Sequence, residues 1–117
     1  AMQRLAACDN AAVKISGLGL TNPPHWSAAE NETPILRTID WFGIDRCMFA
    51  SNFPVDGLCT DFATLLNGFR GIAARFGAGE QRRLFETNAI DIYALPIDTA
   101  LPIDAALPMD HEPRRPR

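Results

Sequence analysis

The spacing of apolar residues changes from one segment of the chain to the next, and the changes mark the elements. Cys47-Met-Phe-Ala50 is apolar without alternation, the pattern of a short parallel strand covered on both faces. Phe62, Leu65, Leu66, Phe69, Ile72, Ala73 and Phe76 recur at three- and four-residue intervals, which predicts an amphipathic helix capped by Thr60 and closed by Gly77. Ile35, Ile39 and Phe42 share a face of another helix, with Thr33 the expected N-cap, Pro34 its first position and Gly43 its end. Residues 25–32 leave room for an earlier helical turn. A last helix at about residues 80–93 carries Leu84, Phe85, Ala89 and Ile92 on its buried side and stops before Pro96. Residues 11–16 read as a strand, residues 17–24 as a loop dense in breakers, and residues 2–8 as the closing turns of a helix that starts ahead of this sequence.

The order is helix end, strand, helix, strand, helix, helix. Two parallel strands joined by a helical crossover make a βαβ unit, and a sheet of two strands leaves both edges unpaired. The pattern is therefore expected to be the end of a larger fold. From Leu95 the pattern becomes repetitive, with Leu-Pro-Ile-Asp-Thr-Ala, Leu-Pro-Ile-Asp-Ala-Ala and Leu-Pro-Met-Asp-His-Glu in succession. A proline every six residues forbids a helix, so residues 96–117 are expected to form a disordered, low-complexity tail distinct from a folded portion at 1–95.

Composition narrows the function classes. The chain has 117 residues, 47% of them hydrophobic, with 11 basic and 14 acidic residues and a net charge of −3. The one local basic cluster is Arg114, Arg115 and Arg117, so nucleic acid is not an expected partner. No apolar run approaches the roughly 20 residues that span a bilayer, and no membrane association is expected. The amino terminus lacks a basic region followed by an apolar core, which makes the cytoplasm the default compartment. The three cysteines, Cys8, Cys47 and Cys59, are widely spaced without a C-x-x-C pair, and read as reduced thiols. Cys47 fits a small core residue, and Cys59 follows a polar loop.

That loop carries the candidate chemistry. The strand at Cys47 gives way within a few residues to Ser51, Asn52, Pro54 and Asp56, which places polar groups at the carboxyl edge of a sheet, where parallel α/β folds bind ligands. Val13-Lys-Ile-Ser-Gly-Leu-Gly19, the run from Trp41 through Ser51-Asn-Phe-Pro-Val-Asp56 to Gly57, and Arg83-Leu-Phe-Glu-Thr-Asn-Ala89 followed by Tyr93 resemble, in this order, the amidohydrolase-related metal-dependent hydrolases, in their lactonase-like branch. The resemblance covers about residues 2–95. It implies an α/β fold consisting of the last two βα units of a TIM (β/α)8 barrel, incomplete on its own because a closed barrel takes about 250 residues. It further implies a hydrolase acting on a lactone or similar cyclic ester, with a small-molecule substrate and a divalent metal, zinc being the expected one, in the intact enzyme. The metal-binding histidines of the family belong to earlier strands. His25 and His111 are the two histidines present, so no metal is expected in this chain alone, and the expected partner is the amino-terminal barrel portion.

At the end of the last strand many family members carry an Asp that orients or deprotonates water, and the matching position here is Asn52. A neutral amide cannot accept that proton, so Asn52 is expected to line the site instead of serving as a base. Asp56 reads as a solvated loop acid or turn starter before Gly57, and as the acid–base group if its loop folds back. Lys14 has two readings, a polar interior position or one facing solvent between strand and helix. Ser16, with Gly17, and Ser51 are candidates for substrate binding; no G-x-S-x-G elbow surrounds Ser51 to make it a nucleophile. His25, beside Trp26, either covers the site mouth or packs with it at a helix start, and Asn88 is expected to fix backbone. The chain alone is expected to be inactive. The alternative is a non-catalytic truncated product or a barrel piece that needs a complementary chain.

Overall fold

The computed structural model describes residues 1–21 and 23–97, so the hexad repeats beyond Ile97 lie outside the described residues. The order is α1 (Met2–Ala6), β1 (Val13–Ile15), α2 (Ala28–Phe42), a 3-10 turn Ile44–Arg46, β2 (Cys47–Phe49), a 3-10 turn Val55–Leu58, α3 (Phe62–Ala73), α4 (Ala78–Arg82), a π-helical stretch Arg83–Thr87 and α5 (Asn88–Ile92). Among the described residues β1 and β2 form one parallel sheet, with Val13 opposite Cys47, Lys14 opposite Met48 and Ile15 opposite Phe49. No helix of the described residues is long and apolar enough to cross a membrane.

One face of the sheet is the floor of the core. Ile15 and Cys47 are buried with Ile35, Ile39 and Phe42 of α2, Leu65, Phe69 and Ile72 of α3, and Leu84. Each large side chain taken out of water here contributes about 1.5–3 kcal/mol before entropy is counted. Phe49 stacks on Phe69 with ring centroids 4.5 Å apart and meets Phe85 at 4.8 Å, which ties β2 to both helical layers. Strand alternation puts Lys14 and Met48 on the opposite face. There Lys14 Nζ lies 5.9 Å from the centroid of the Tyr93 ring.

Three helix boundaries differ from the sequence-based expectation. Helix α2 begins at Ala28, not at Pro34, because Ser27 is the N-cap: it is extended, its hydroxyl accepts from the Glu30 N–H at 3.2 Å, and it donates to Glu30 Oε2 at 3.0 Å. Pro34 then sits inside the helix, at a position where its ring removes one donor. Asp61, not Thr60, caps α3, its carboxylate accepting from the Thr64 N–H at 2.8 Å and the Thr64 hydroxyl at 2.6 Å, and that helix ends at Ala73 before Phe76. The last helical segment starts at Ala78, and Glu80 serves its first turn by accepting from the Gly77 N–H at 3.0 Å.

Two polar side chains fasten the elements together. The Arg46 guanidinium donates to four carbonyls: Ala6 at 2.9 Å, Cys8 at 2.9 Å, Ala11 at 3.2 Å and Phe42 at 2.9 Å. It thereby joins the end of α1, the turn into β1 and the end of α2. Asn88 is buried, and its amide donates to the Ile44 carbonyl at 2.6 Å and the Cys47 carbonyl at 2.8 Å, as expected for a residue that fixes backbone. The π-helical stretch precedes it, with the Asn88 N–H reaching back to the Arg83 carbonyl, one residue further than in an α-helix.

Candidate functional site

Parallel pairing brings the carboxyl ends of β1 and β2 side by side. The Ala50 N–H donates to the Ile15 carbonyl at 3.1 Å, so the residues that follow each strand, Ser16-Gly17 and Ser51-Asn52, leave the sheet from one edge. Gly17 has φ +69°, and a Cβ built on it would stand 2.7 Å from Asn52 Nδ2. Glycine is required there twice, for its backbone conformation and for the amide lying against it. Asn52 and Ser51 are exposed, whereas Ser16 is half-buried.

Behind Asn52 the chain folds back. Asp56 Oδ2 accepts from the Asn52 N–H at 2.7 Å, and the Asp56 N–H returns a bond to the Asn52 carbonyl at 3.2 Å. Asp56 is only 3% exposed, which corrects the reading of it as a solvated loop acid. Closing the 3-10 turn through Val55–Leu58 turns its carboxylate inward. The other oxygen, Oδ1, is buried and has no hydrogen-bond partner among the described residues. The Asp56 carbonyl accepts from the Cys59 N–H at 3.0 Å, the Thr60 N–H at 3.0 Å and the Cys59 thiol at 3.1 Å. Cys59 Sγ in turn lies where a Cβ on Gly19 would be 2.5 Å away.

The structure thus gathers Ser16, Gly17, Ser51, Asn52 and Asp56, with Lys14 beside Ser16, and leaves His25 apart from them. His25 is exposed and points to Glu30 at the head of α2, with Nε2 3.2 Å from Oε2. Its neighbour Trp26 is buried, edge-on to Phe69 and against Gly68 of α3, so it packs in the helical layer. Lys14 and Ser16 line an open groove of about 200 Å³ along β1, together with Met2 of α1 and Pro34 and Thr38 of α2. Among the described residues there is no group of three or more His, Cys, Asp or Glu placed to hold a metal ion. The residues present therefore do not by themselves fit a divalent metal. Burial pushes the Cys47 thiol up to about 11, with Arg46 opposing the shift, so it is a core residue and no nucleophile.

A family model described as amidohydrolase matches residues 1–95. The chain belongs to the amidohydrolase family. It is 42% identical over 95 residues to an uncharacterised protein, y4mH, of Sinorhizobium fredii, a match covering 81% of this chain and 32% of that one. It is 32% identical over 99 residues to an L-fucono-1,5-lactonase of Burkholderia ambifaria, covering 81% of this chain and 34% of the lactonase. A crystal structure of an amidohydrolase from Burkholderia multivorans with bound zinc superimposes with a TM-score of 0.75 at 28% identity, over 80% of this chain and 35% of that one. A second crystal structure of an amidohydrolase from that organism, with bound HEPES, matches equally well. The chain spans about a third of the length of the proteins it matches.

The strand-end candidates were visible from their position after an apolar run. What the sequence did not reveal was the Gly17–Asn52 contact. A glycine two residues beyond the strand, Gly17, was the signal available for it.

Proposed function

We propose that these residues are the last two βα units of a (β/α)8-barrel hydrolase acting on a lactone or similar cyclic ester, with β1 and β2 as neighbouring staves and the other strands supplied from outside this sequence. The observation that carries the reading is the seating of Asn52 against Gly17 at the carboxyl edge of the sheet, the edge on which barrels of this kind build their sites. The similarity to an L-fucono-1,5-lactonase supports a sugar-acid lactone as the substrate class.

Hydrolysis of a lactone needs water delivered to the carbonyl carbon and donors facing the oxygen on which charge develops. In this reading the exposed Asn52 amide and the Ser51 hydroxyl supply donors to substrate oxygens, with Ser16 and Lys14 extending the polar lining from β1. Asn52 orients substrate or water and moves no proton, since a carboxamide is not a base at neutral pH. Zinc is bound in one solved relative, and the described residues of this chain offer no ligand set for it. If the protein uses a divalent metal, its ligands come from other residues.

The test is a pH-stat assay on a panel of sugar-acid lactones that includes L-fucono-1,5-lactone. The 117-residue chain alone is expected to give no turnover. Joined to the part of the Burkholderia ambifaria lactonase that precedes the matched segment, it is expected to give turnover that Asn52→Ala reduces by at least tenfold. Turnover by the chain alone would overturn the need for further staves, and a folded hybrid without turnover would overturn the hydrolase reading.

A further inference from the structure

We propose that Asp56 is a positioning residue that locks together the loops at the ends of both strands, setting Asn52 against Gly17 and Cys59 against Gly19. The inference rests on the reading of Asn52 as a site residue, and adds what holds it in place.

Four observations converge on Asp56. It is 97% removed from solvent by its 3% exposure, although it sits among exposed neighbours from Ser51 to Leu58. Its side chain and backbone form a reciprocal pair with one residue, Oδ2 receiving the Asn52 N–H at 2.7 Å and the Asp56 N–H returning to the Asn52 carbonyl at 3.2 Å. Its carbonyl collects the next turn, taking the N–H groups of Cys59 and Thr60 and the Cys59 thiol. Both residues it holds then meet glycines of the loop after β1: Asn52 Nδ2 at Gly17 and Cys59 Sγ at Gly19, at separations a Cβ could not occupy.

The physics favours a fixed arrangement. A carboxylate receiving a backbone N–H makes a charge-assisted bond, roughly twice as strong as a neutral one, and burial removes the water that would compete for it. Asp56 spends one oxygen on Asn52 and has the second, Oδ1, buried with no partner among the described residues. The second acceptor belongs to the same carboxylate that holds the Asn52 N–H, and a donor from outside the described residues would complete it. Asp56 thus acts on substrate through Asn52.

The experiment compares the full 117-residue chain with Asp56→Asn, which keeps an acceptor oxygen for the Asn52 N–H, and Asp56→Ala, which removes it. Two readouts are followed, hydrogen exchange at the Asn52 amide by NMR and the alkylation rate of Cys59 by iodoacetamide with mass mapping. Cys8, exposed, and Cys47, buried, are internal references for an open and a closed thiol. The expected result is at least tenfold faster Asn52 exchange in Asp56→Ala, with Cys59 alkylated at the rate of Cys8 while Cys47 stays protected, and near-wild-type behaviour in Asp56→Asn. If Asp56→Ala loses the fold, so that Cys47 reacts as fast as Cys8, retention by Asp56→Asn of protection at Asn52 and Cys59 still supports the role of the acceptor. Like behaviour of the two variants, whether both unchanged or both opened, overturns the proposal, as does an unprotected Asn52 amide in the parent chain. No substrate enters these measurements, so they can fail or succeed independently of the lactone assay.

Discussion

Replacing Arg46 with alanine should destabilise the chain more than any other single surface-reaching change. The guanidinium holds four carbonyls, three of them at part-buried positions, Ala6, Ala11 and Phe42, and one, Cys8, in solvent. A hydrogen bond from a charged donor contributes about 1.5–3 kcal/mol, and partial solvent access reduces each of the three to about 1 kcal/mol. The exposed bond adds little. The guanidinium also lies 5.3 Å from the centroid of the Phe42 ring, a contact contributing about 0.5 kcal/mol. The sum is a loss of about 3–4 kcal/mol, a large share of the roughly 5–15 kcal/mol by which domains are stable. Arg46→Lys keeps the charge but presents one ammonium in place of a fork, so it reaches fewer carbonyls and should lose about half as much. Urea unfolding followed by circular dichroism measures both; with a slope of about 1 kcal/mol/M, the alanine variant should unfold about 3 M earlier. Helix α1 has only five residues and no side-chain cap, so its amides should also lose exchange protection first. Both variants lying within about 0.5 kcal/mol of the parent would refute the assignment of Arg46 as the fastener of three elements.

Asn88→Leu removes the amide that serves the Ile44 and Cys47 carbonyls and leaves the latter buried without a donor, so unfolding by urea should show a loss of about 2–4 kcal/mol. Ala94→Gly should raise stability by about 0.5–1 kcal/mol, read as a higher thermal midpoint: Ala94 has φ +49° in a helix-terminating motif in which the Leu95 N–H bonds the Ile90 carbonyl at 2.9 Å, and glycine adopts that conformation without the Cβ penalty. The Cys47 thiol is raised from 9.0 to about 11 by burial, so the folded state holds its proton while the unfolded state loses it, and stability should fall as pH rises from 9 to 11. A parent chain whose thermal midpoint drops no more steeply over that range than that of Cys47→Ala would contradict this.

Both strands and every long helix were legible from spacing, because burying one face of a helix or both faces of a short strand dictates the period. The helix starts were less legible. Thr33-Pro34 and Thr60 each satisfy the local rules for a helix start, but Ser27 with Glu30, and Asp61 with Thr64, supply stronger pairs of bonds, and the difference lies in side-chain geometry that composition does not encode. At the candidate site, Asn52 was legible from its place after an apolar run. The burial of Asp56 was not, since a loop acid followed by glycine ordinarily faces water, and only the turn through Val55–Leu58 reverses it. Arg46 was equally hidden: its four acceptors are main-chain atoms up to 40 residues away, which leave no trace in side-chain identity.

The wide turn at Arg83–Thr87 sets a limit on what can be trimmed from this chain. Removing a single residue there would give a more regular helix with one more conventional bond, yet every position beyond the cut would swing by about 100° around the axis. Asn88 would then present its amide away from β2, and the strand bearing the candidate site would lose its mooring to the last helix. Local regularity and global attachment are in opposition at that point, so a shortened helix should be better formed as a segment and worse as a part of the whole.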